Sequence, residues 1–374
     1  MPRSRSVITL SIATVLLASC GGGGATPTPD VPTTTTSSAT KDPGDAPPAK
    51  DSGVLQLACG DFHTCALMSD HTVKCWGRNR GGELGDGTTE DKKQPVAVAG
   101  LSDVEEIALG ANNTCARLKD RSVKCWGTGR LFSASAITTK TSPTSIAGIT
   151  DAVELRAGGY MTCARLGSGA VTCWGLEKKP GGEPKNAAAI ATAATHACAT
   201  LKDGTIKCWG DGVWADGKGT FAKPGVSGAE LIGTGDTFAC AVTGGTVACW
   251  GRNDSGELGT AADFDDHGKP VPVPGVRGVK KISAAEAHTC VVLGDGSVTC
   301  WGDNAESEMG RGTQTTSEAP GLVTGLAGAL EIAVGTDHVC ARTASDVYCW
   351  GSNRAGQLGD GTTERRMVPT KVRF

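Results

Sequence analysis

The sequence predicts an all-β fold, a seven-bladed propeller of four-stranded blades with one disulfide inside each blade. Three observations carry it. Cys-Trp-Gly recurs seven times, at Cys75, Cys125, Cys173, Cys208, Cys249, Cys300 and Cys349. Each copy follows another Cys by nine or ten positions: Cys65, Cys115, Cys163, Cys198, Cys240, Cys290 and Cys340. The 54 Gly and 4% aromatic residues suit many tight turns and argue against long packed helices. A period of about 46 residues over 322 marks a repeat architecture.

The chain divides into three parts. In the first, residues 1–19, Arg3 and Arg5 precede an apolar run, Val7 to Ala18. A run of 12 is shorter than the roughly 20 residues that span a bilayer, and it fits a secretory signal core. It ends in Leu17-Ala18-Ser19-Cys20, which resembles a bacterial lipobox. That resemblance implies cleavage before Cys20 and a lipid on its new N-terminus. Gly21 mildly favours the outer membrane by resemblance to the usual sorting pattern. The expectation is an exported, lipid-anchored envelope protein.

Residues 20–52 come next. Residues 21–52 hold six Pro, many Thr and Gly, and no aromatic residue. Such a stretch cannot bury enough apolar surface to offset its ordering entropy, and it reads as a disordered tether.

Residues 53–374 form the third part. Within each unit the segment between the two Cys reads as a hairpin. A ten-residue separation goes with a three-residue loop such as Lys202-Asp203-Gly204. A separation of nine goes with a two-residue loop, Gly244-Gly245 or Ala344-Ser345. Loop length and spacing change together, so the Cys oppose each other in register. The predicted bonds are 65–75, 115–125, 163–173, 198–208, 240–249, 290–300 and 340–349. Zinc is disfavoured, because no unit has CxxC and each supplies two Cys across one hairpin. His71 and Arg121 occupy turn positions where Gly is favoured, which predicts mild strain. Each Trp neighbours its Cys, points to the opposite face of the strand and is expected to pack on an adjoining unit.

An apolar strand precedes each hairpin: Val54–Cys59, Val104–Leu109, Val153–Ala157, Glu230–Thr234, Lys280–Ala284 and Leu330–Val334, with a weaker Ala-rich one at Ala187–Ala193. A fourth strand is expected near Pro95–Val98 and Pro272-Val273. Four strands in each of seven units make a propeller. Met367–Arg373 is expected to close the ring by pairing with strands from the other end.

Four units extend past Cys-Trp-Gly into Gly-rich segments beginning at Asn79, Asn253, Asn304 and Asn353. With His63-Thr64-Cys65-Ala66 upstream, these resemble the repeat of the regulator of chromosome condensation family, which is a seven-bladed propeller. The Cys-paired, exported form resembles a bacterial lipoprotein branch of it. The best-known eukaryotic member is an exchange factor for a nuclear GTPase, an activity that does not carry over to an exported chain. A secreted bacterial relative that inhibits β-lactamases implies that the scaffold can bind proteins. Fold alone does not license function.

A net charge of −3 leaves no basic surplus for nucleic acid. No Ser/His/Asp set, HExxH or phosphate loop stands out, so an enzyme is not expected, and no cofactor or metal is. His63, His196, His288 and His338 recur two places before the first Cys and read as a packing and hydrogen-bonding position. Asp254, Asp263, Asp265 and Asp266 read as a solvated acidic loop, with calcium the rival. Cys59 reads as a buried, inert thiol. Units two to four lack the Gly-rich extension and carry 129–137, 176–184 and 211–221 in its place. Trp214 and Phe221 in the last segment are candidate binding residues. The expected function is recognition of an envelope or extracellular protein, with glycan binding the alternative.

Overall fold

The structure is a computed structural model that describes residues 52–178, 181–210 and 225–374. The signal segment, Cys20, nearly all of the tether, Trp214 and Phe221 lie outside the described residues.

Every strand is antiparallel to its neighbour, and strands follow chain order within each sheet. Blade 1 is β1 (Val54–Cys59), β2 (His63–Met68), β3 (Val73–Gly77) and β4 (Lys92–Ala97). Blade 2 is β5 (Val104–Leu109), β6 (Asn113–Leu118), β7 (Val123–Gly129) and β8 (Thr138–Ser145). Blade 3 is β9 (Ala152–Gly158), β10 (Met161–Leu166) and β11 (Val171–Trp174). Blade 4 is β12 (Ala187–Thr192), β13 (His196–Leu201) and β14 (Ile206–Gly210). Blade 5 is β15 (Leu231–Thr234), β16 (Phe238–Thr243), β17 (Thr246–Arg252) and β18 (Asp266–Pro272). Blade 6 is β19 (Val279–Ala285), β20 (His288–Leu293), β21 (Val298–Asp303) and β22 (Ser317–Leu322). Blade 7 is β23 (Glu331–Val334), β24 (His338–Arg342), β25 (Val347–Gly351) and β26 (Arg366–Lys371). Among the described residues blades 3 and 4 have three strands. They are two of the three units that lack the Gly-rich extension, the segment that leads into the fourth strand in blades 1, 5, 6 and 7; blade 2 also lacks it but forms β8.

The inner strands β1, β5, β9, β12, β15, β19 and β23 each contact the next, and β23 contacts β1, so the ring is closed. The C-terminal expectation is corrected here. Segment 366–371 pairs with β25 as the outer strand of its own blade, not with strands from the other end. Each unit begins with an inner strand and the four-stranded ones end with an outer one, so unit and blade are in phase and no strand is exchanged among the described residues. The seam is closed by backbone hydrogen bonds from Gly361 N–H to Lys93 O and from Ser52 N–H to Ala344 O, each at 3.0 Å, and by side chains, including the Phe374 ring set edge-on to Trp76 at 5.7 Å.

The hairpin register places each Cys opposite its predicted partner, as in Cys65↔Cys75 and Cys240↔Cys249. All seven bonds form, with Cα–Cα distances of 3.9 to 4.1 Å, nearest the narrow class of antiparallel pairs. His71 and Arg121 have φ of 61° and 66°, the left-handed turn conformation that their positions predict. The core is divided into clusters that straddle blade boundaries. Cys65, Cys75 and Leu84 of blade 1 pack with Trp126 of blade 2, and Cys340 and Cys349 of blade 7 with Trp76 of blade 1. A disulfide under a neighbour's indole thus replaces the larger Leu and Phe cores that this composition lacks.

Candidate functional site

Most of the polar groups repeated along the chain are used in joining blades. In the Gly-rich extension, Asn79 Oδ1 accepts the Leu84 N–H at 2.9 Å, and Asn253, Asn304 and Asn353 do the same for Leu258, Met309 and Leu358. The loop so formed aims one carbonyl at the next blade's indole. Trp126 Nε1 donates to Glu83 O, Trp301 to Glu257 O, Trp350 to Glu308 O and Trp76 to Gln357 O, at 2.6 to 2.9 Å. Blades 3 and 4 follow units without the extension, and their Trp174 and Trp209 Nε1 atoms are buried with no partner among the described residues. The expected outcome is that Trp76→Phe and Trp126→Phe cost about 1–2 kcal/mol more than Trp174→Phe and Trp209→Phe, because only the first two break a bond. Denaturant midpoints measure the difference, and equal losses would remove the clip from the account.

The recurrent His also joins blades. His63 Nε2 meets Thr114 Oγ1 of blade 2 at 2.9 Å, and His338 Nε2 meets Thr64 Oγ1 of blade 1 at 2.8 Å. Burial lowers both rings to about 3, so they are neutral. Sequence reading places these side chains correctly as packing residues but does not find their partners in the next blade.

A second set, missed from the sequence, lines the central channel. Gln56 Oε1 accepts the Ile107 N–H at 2.8 Å, Glu106 that of Leu155, Glu154 that of Ile190, and Glu331 that of Leu57 across the closing seam. Arg117, Arg165 and Arg342 hold Glu106, Glu154 and Glu331 at 2.7 to 3.2 Å. The available signal is a Glu on the inner strand with an Arg 11 positions later, two past the first Cys, in three units.

Glu83, Glu257 and Glu308 are buried in the extensions, and each accepts a backbone N–H two residues back. Gln357 does the same in blade 7 through Oε1 at 2.9 Å, so no charge is needed there. Burial, reinforced by Asp303 and Asp337, pushes Glu308 up to about 8 against opposing backbone N–H groups. A folded pKa above the ordinary 4.5 means the folded chain keeps a proton that the unfolded chain releases. Stability therefore falls as pH rises from about 4.5 to about 8. Glu308→Gln is expected to raise the melting temperature by several degrees at pH 8.5 and little at pH 4.5; a pH-independent effect would contradict this.

What remains is one face. The loops after the inner strands surround the channel mouth, where a cavity of about 190 Å³ lies between Asp61, Tyr160, Asp236, Glu286 and Thr336. One repeat position there reads Asp61, Ala111, Gly159, Ala194, Asp236, Glu286 and Thr336 around the ring. The acids stand on blades 1, 5 and 6, and the small neutral residues on blades 2 to 4. Burial, then Asp337, Asp236, Asp303 and Asp61, push Glu286 up to about 7. Burial, then Glu306, push Asp337 to about 6, with Arg354 opposing. Tyr160 stands on the neutral side, 61% exposed. The loop with Asp254, Asp263, Asp265 and Asp266 lies on the same face. There Asp263 is engaged by His267 and Asn253, and Asp254 by Arg252 at 2.5 Å. Among the described residues, three ligand-type side chains converge at Cys59, His338 and Cys340, but Cys340 is disulfide-bonded and offers no thiolate. The arrangement supplies charge and shape at a rim.

Two models, both described as the regulator of chromosome condensation (RCC1) repeat, match this chain. One matches residues 54–83, 279–308 and 330–357; the other matches 70–117, 244–292, 295–342 and 345–374. The segment 118–243 between them holds most of the divergent arc. The human E3 ubiquitin-protein ligase HERC2 is 34% identical over 157 residues, 36% of this chain and 3% of that ligase. The chain therefore corresponds to a small part of that protein. Among solved structures, the ectodomain of the Physcomitrella patens receptor kinase CR4 aligns with a TM-score of 0.58 at 19% identity, over 80% of this chain and 74% of that one. Saccharomyces cerevisiae Prp20p, described with binding properties to Gsp1p and histones, aligns with a TM-score of 0.52 at 20% identity, over 86% and 77%. These likenesses show the fold.

Proposed function

The chain belongs to the regulator of chromosome condensation (RCC1) repeat family, and we propose that it is a non-enzymatic scaffold that recognises a protein partner through the face around its channel mouth. One observation carries this reading. The positions that join blades recur around the ring, whereas the mouth position changes from acid to small neutral residue within one chain. A rigid frame with a variable rim is the arrangement that recognition uses. The crowded carboxylates favour a partner that presents cationic groups. The description of Prp20p as a binder of Gsp1p and histones supports protein recognition as a use of this fold.

From the apolar run Val7 to Ala18 and its ending Leu17-Ala18-Ser19-Cys20, we also propose that the chain is exported to the bacterial cell envelope, cut before Cys20 and held by lipid, with residues 21–52 as the spacer. Loss of the membrane-bound fraction in Cys20→Ser tests the anchor. Glycan binding is the second reading, favoured by the exposed Tyr160 ring on the neutral side of a mouth cavity that carboxylates line from other blades.

Capture from native envelope extracts on the oxidised full chain tests the function. A protein retained by the unchanged chain and lost on Glu286→Lys with Asp337→Lys supports the acidic rim. Loss on Trp214→Ala alone moves the site to the divergent arc. Enriched glycan lost on Tyr160→Ala supports the second reading. Retention by all variants overturns the face assignment.

A further inference from the structure

Among the described residues the ring closes without exchanging a strand, and its seam carries a sulfur outside the hairpin pairs. Cys59 ends β1 in blade 1, and its side chain turns toward blade 7, where Sγ lies 3.5 Å from the Ala333 carbonyl oxygen. Cys59 Sγ, a ring nitrogen of His338 and Cys340 Sγ all lie within 4.8 Å of one another. Cys340 is bonded to Cys349 within blade 7. The equivalent inner-strand position holds Leu109, Ala157, Thr192, Thr234, Ala284 and Val334 in the other blades. Only the closing seam, among the described residues, brings a free thiol up to a hairpin disulfide.

We propose that Cys59 is a reserve partner for Cys340, so that a 59–340 disulfide can replace the 340–349 one and join the first blade covalently to the last. The Cys59 thiolate attacks Cys340 Sγ. The 59–340 bond forms, the 340–349 bond breaks, and the electron pair leaves on Cys349 Sγ, which takes up the proton that Cys59 released. One thiol and one disulfide stand on each side, so the exchange consumes no oxidant or reductant.

The surroundings hold this reaction back while the ring is shut. Burial pushes the Cys59 thiol up to about 12, the nearby Glu331 carboxylate adds to this, and hydrogen bonding from Thr64 and at Cys340 opposes it. His338 stays neutral in the same pocket. A protonated thiol is a poor nucleophile, so exchange awaits a loosening of the seam that lets the sulfur ionise. The product links blades 1 and 7, where no shared strand does so, and releases the blade 7 hairpin from its own bond. The pair of states is a redox-neutral latch at the place where a propeller opens.

Two measurements on the full chain test the latch, with Cys20 followed on its own peptide. In Cys349→Ser, treatment of the folded protein with oxidised glutathione is expected to give a 59–340 cross-link on non-reducing peptide mapping, with neither thiol open to iodoacetamide. A folded variant in which both thiols stay free would overturn the proposal. Should that variant fail to fold, the unchanged chain is held for hours at pH 9.5 in mild urea, quenched in acid, and alkylated after full denaturation. Alkyl label on Cys349 together with a 59–340 peptide is the expected result. Label on Cys59 alone, with 340–349 intact, would overturn it.

Discussion

Reduction of the seven hairpin disulfides is expected to leave the propeller unfolded at 37 °C. Each bond closes a loop of about ten residues, worth roughly 2.7 kcal/mol in the chain-entropy model. Seven such terms total on the order of 19 kcal/mol, more than the 5–15 kcal/mol by which typical domains are stable. The terms are not strictly additive, but even half of that total removes most of an ordinary margin. Packing cannot make up the difference. The buried clusters are built mainly from Cys, Ala and Val under one Trp each, and the disulfide sulfurs are themselves part of the surface each Trp covers. Thermal unfolding followed by circular dichroism, with and without a phosphine reductant, measures the effect. A loss of more than about 20 °C is expected. An unchanged transition would show that the β-sheets hold without their staples.

Gly77→Ala is expected to cost more than about 3 kcal/mol, and Gly87→Ala only about 1–2 kcal/mol. Gly77 has a φ of 104°, and a Cβ there would lie 2.5 Å from Phe62 O and 2.8 Å from His63 Cα. Both are backbone atoms at the start of β2, which cannot move aside without disturbing its register with β3. Gly251 and Gly302 repeat the conflict at 2.4 Å. This explains the third letter of Cys-Trp-Gly: Gly77 pairs with His63 at the end of the hairpin, where the two backbones lie too close for a Cβ. Gly87 has a φ of 85° but nothing within 4 Å, so its substitution isolates the conformational cost from the steric one. Denaturant midpoints of the two variants separate the terms, and equal losses would contradict the close-approach argument.

What could be read from the sequence follows from how local each feature is. The disulfides were legible because spacing and loop length vary together between Cys198 and Cys208 on one hand and Cys240 and Cys249 on the other. The direction of Trp76 followed from period-two alternation alone. His63 was legible as a buried position, but Thr114 as its partner was not, since the contact joins residues 51 positions apart and exists only once blades are set side by side. The Glu106–Arg117 pairing carried a signal, a constant interval of 11 in three units, that composition and motif reading passed over. The acidic mouth was hidden for another reason. Asp61, Asp236 and Glu286 are single residues in short loops, and their concentration appears only when seven loops converge on one axis. The strand-exchange expectation at the C-terminus failed because Arg366 to Lys371 already satisfy their backbone groups against β25. Trp214 and Phe221, the aromatic candidates of the divergent arc, lie outside the described residues.

The claim that recognition uses the mouth face is tested most directly by hydrogen exchange on the full chain, free and with the captured partner bound. Protection in the loops around Asp61, Asp236, Glu286 and Asp337 is the expected result. Protection confined to the opposite face, at the hairpin turns around His71, Arg121, Asp203 and Asp295, would contradict it.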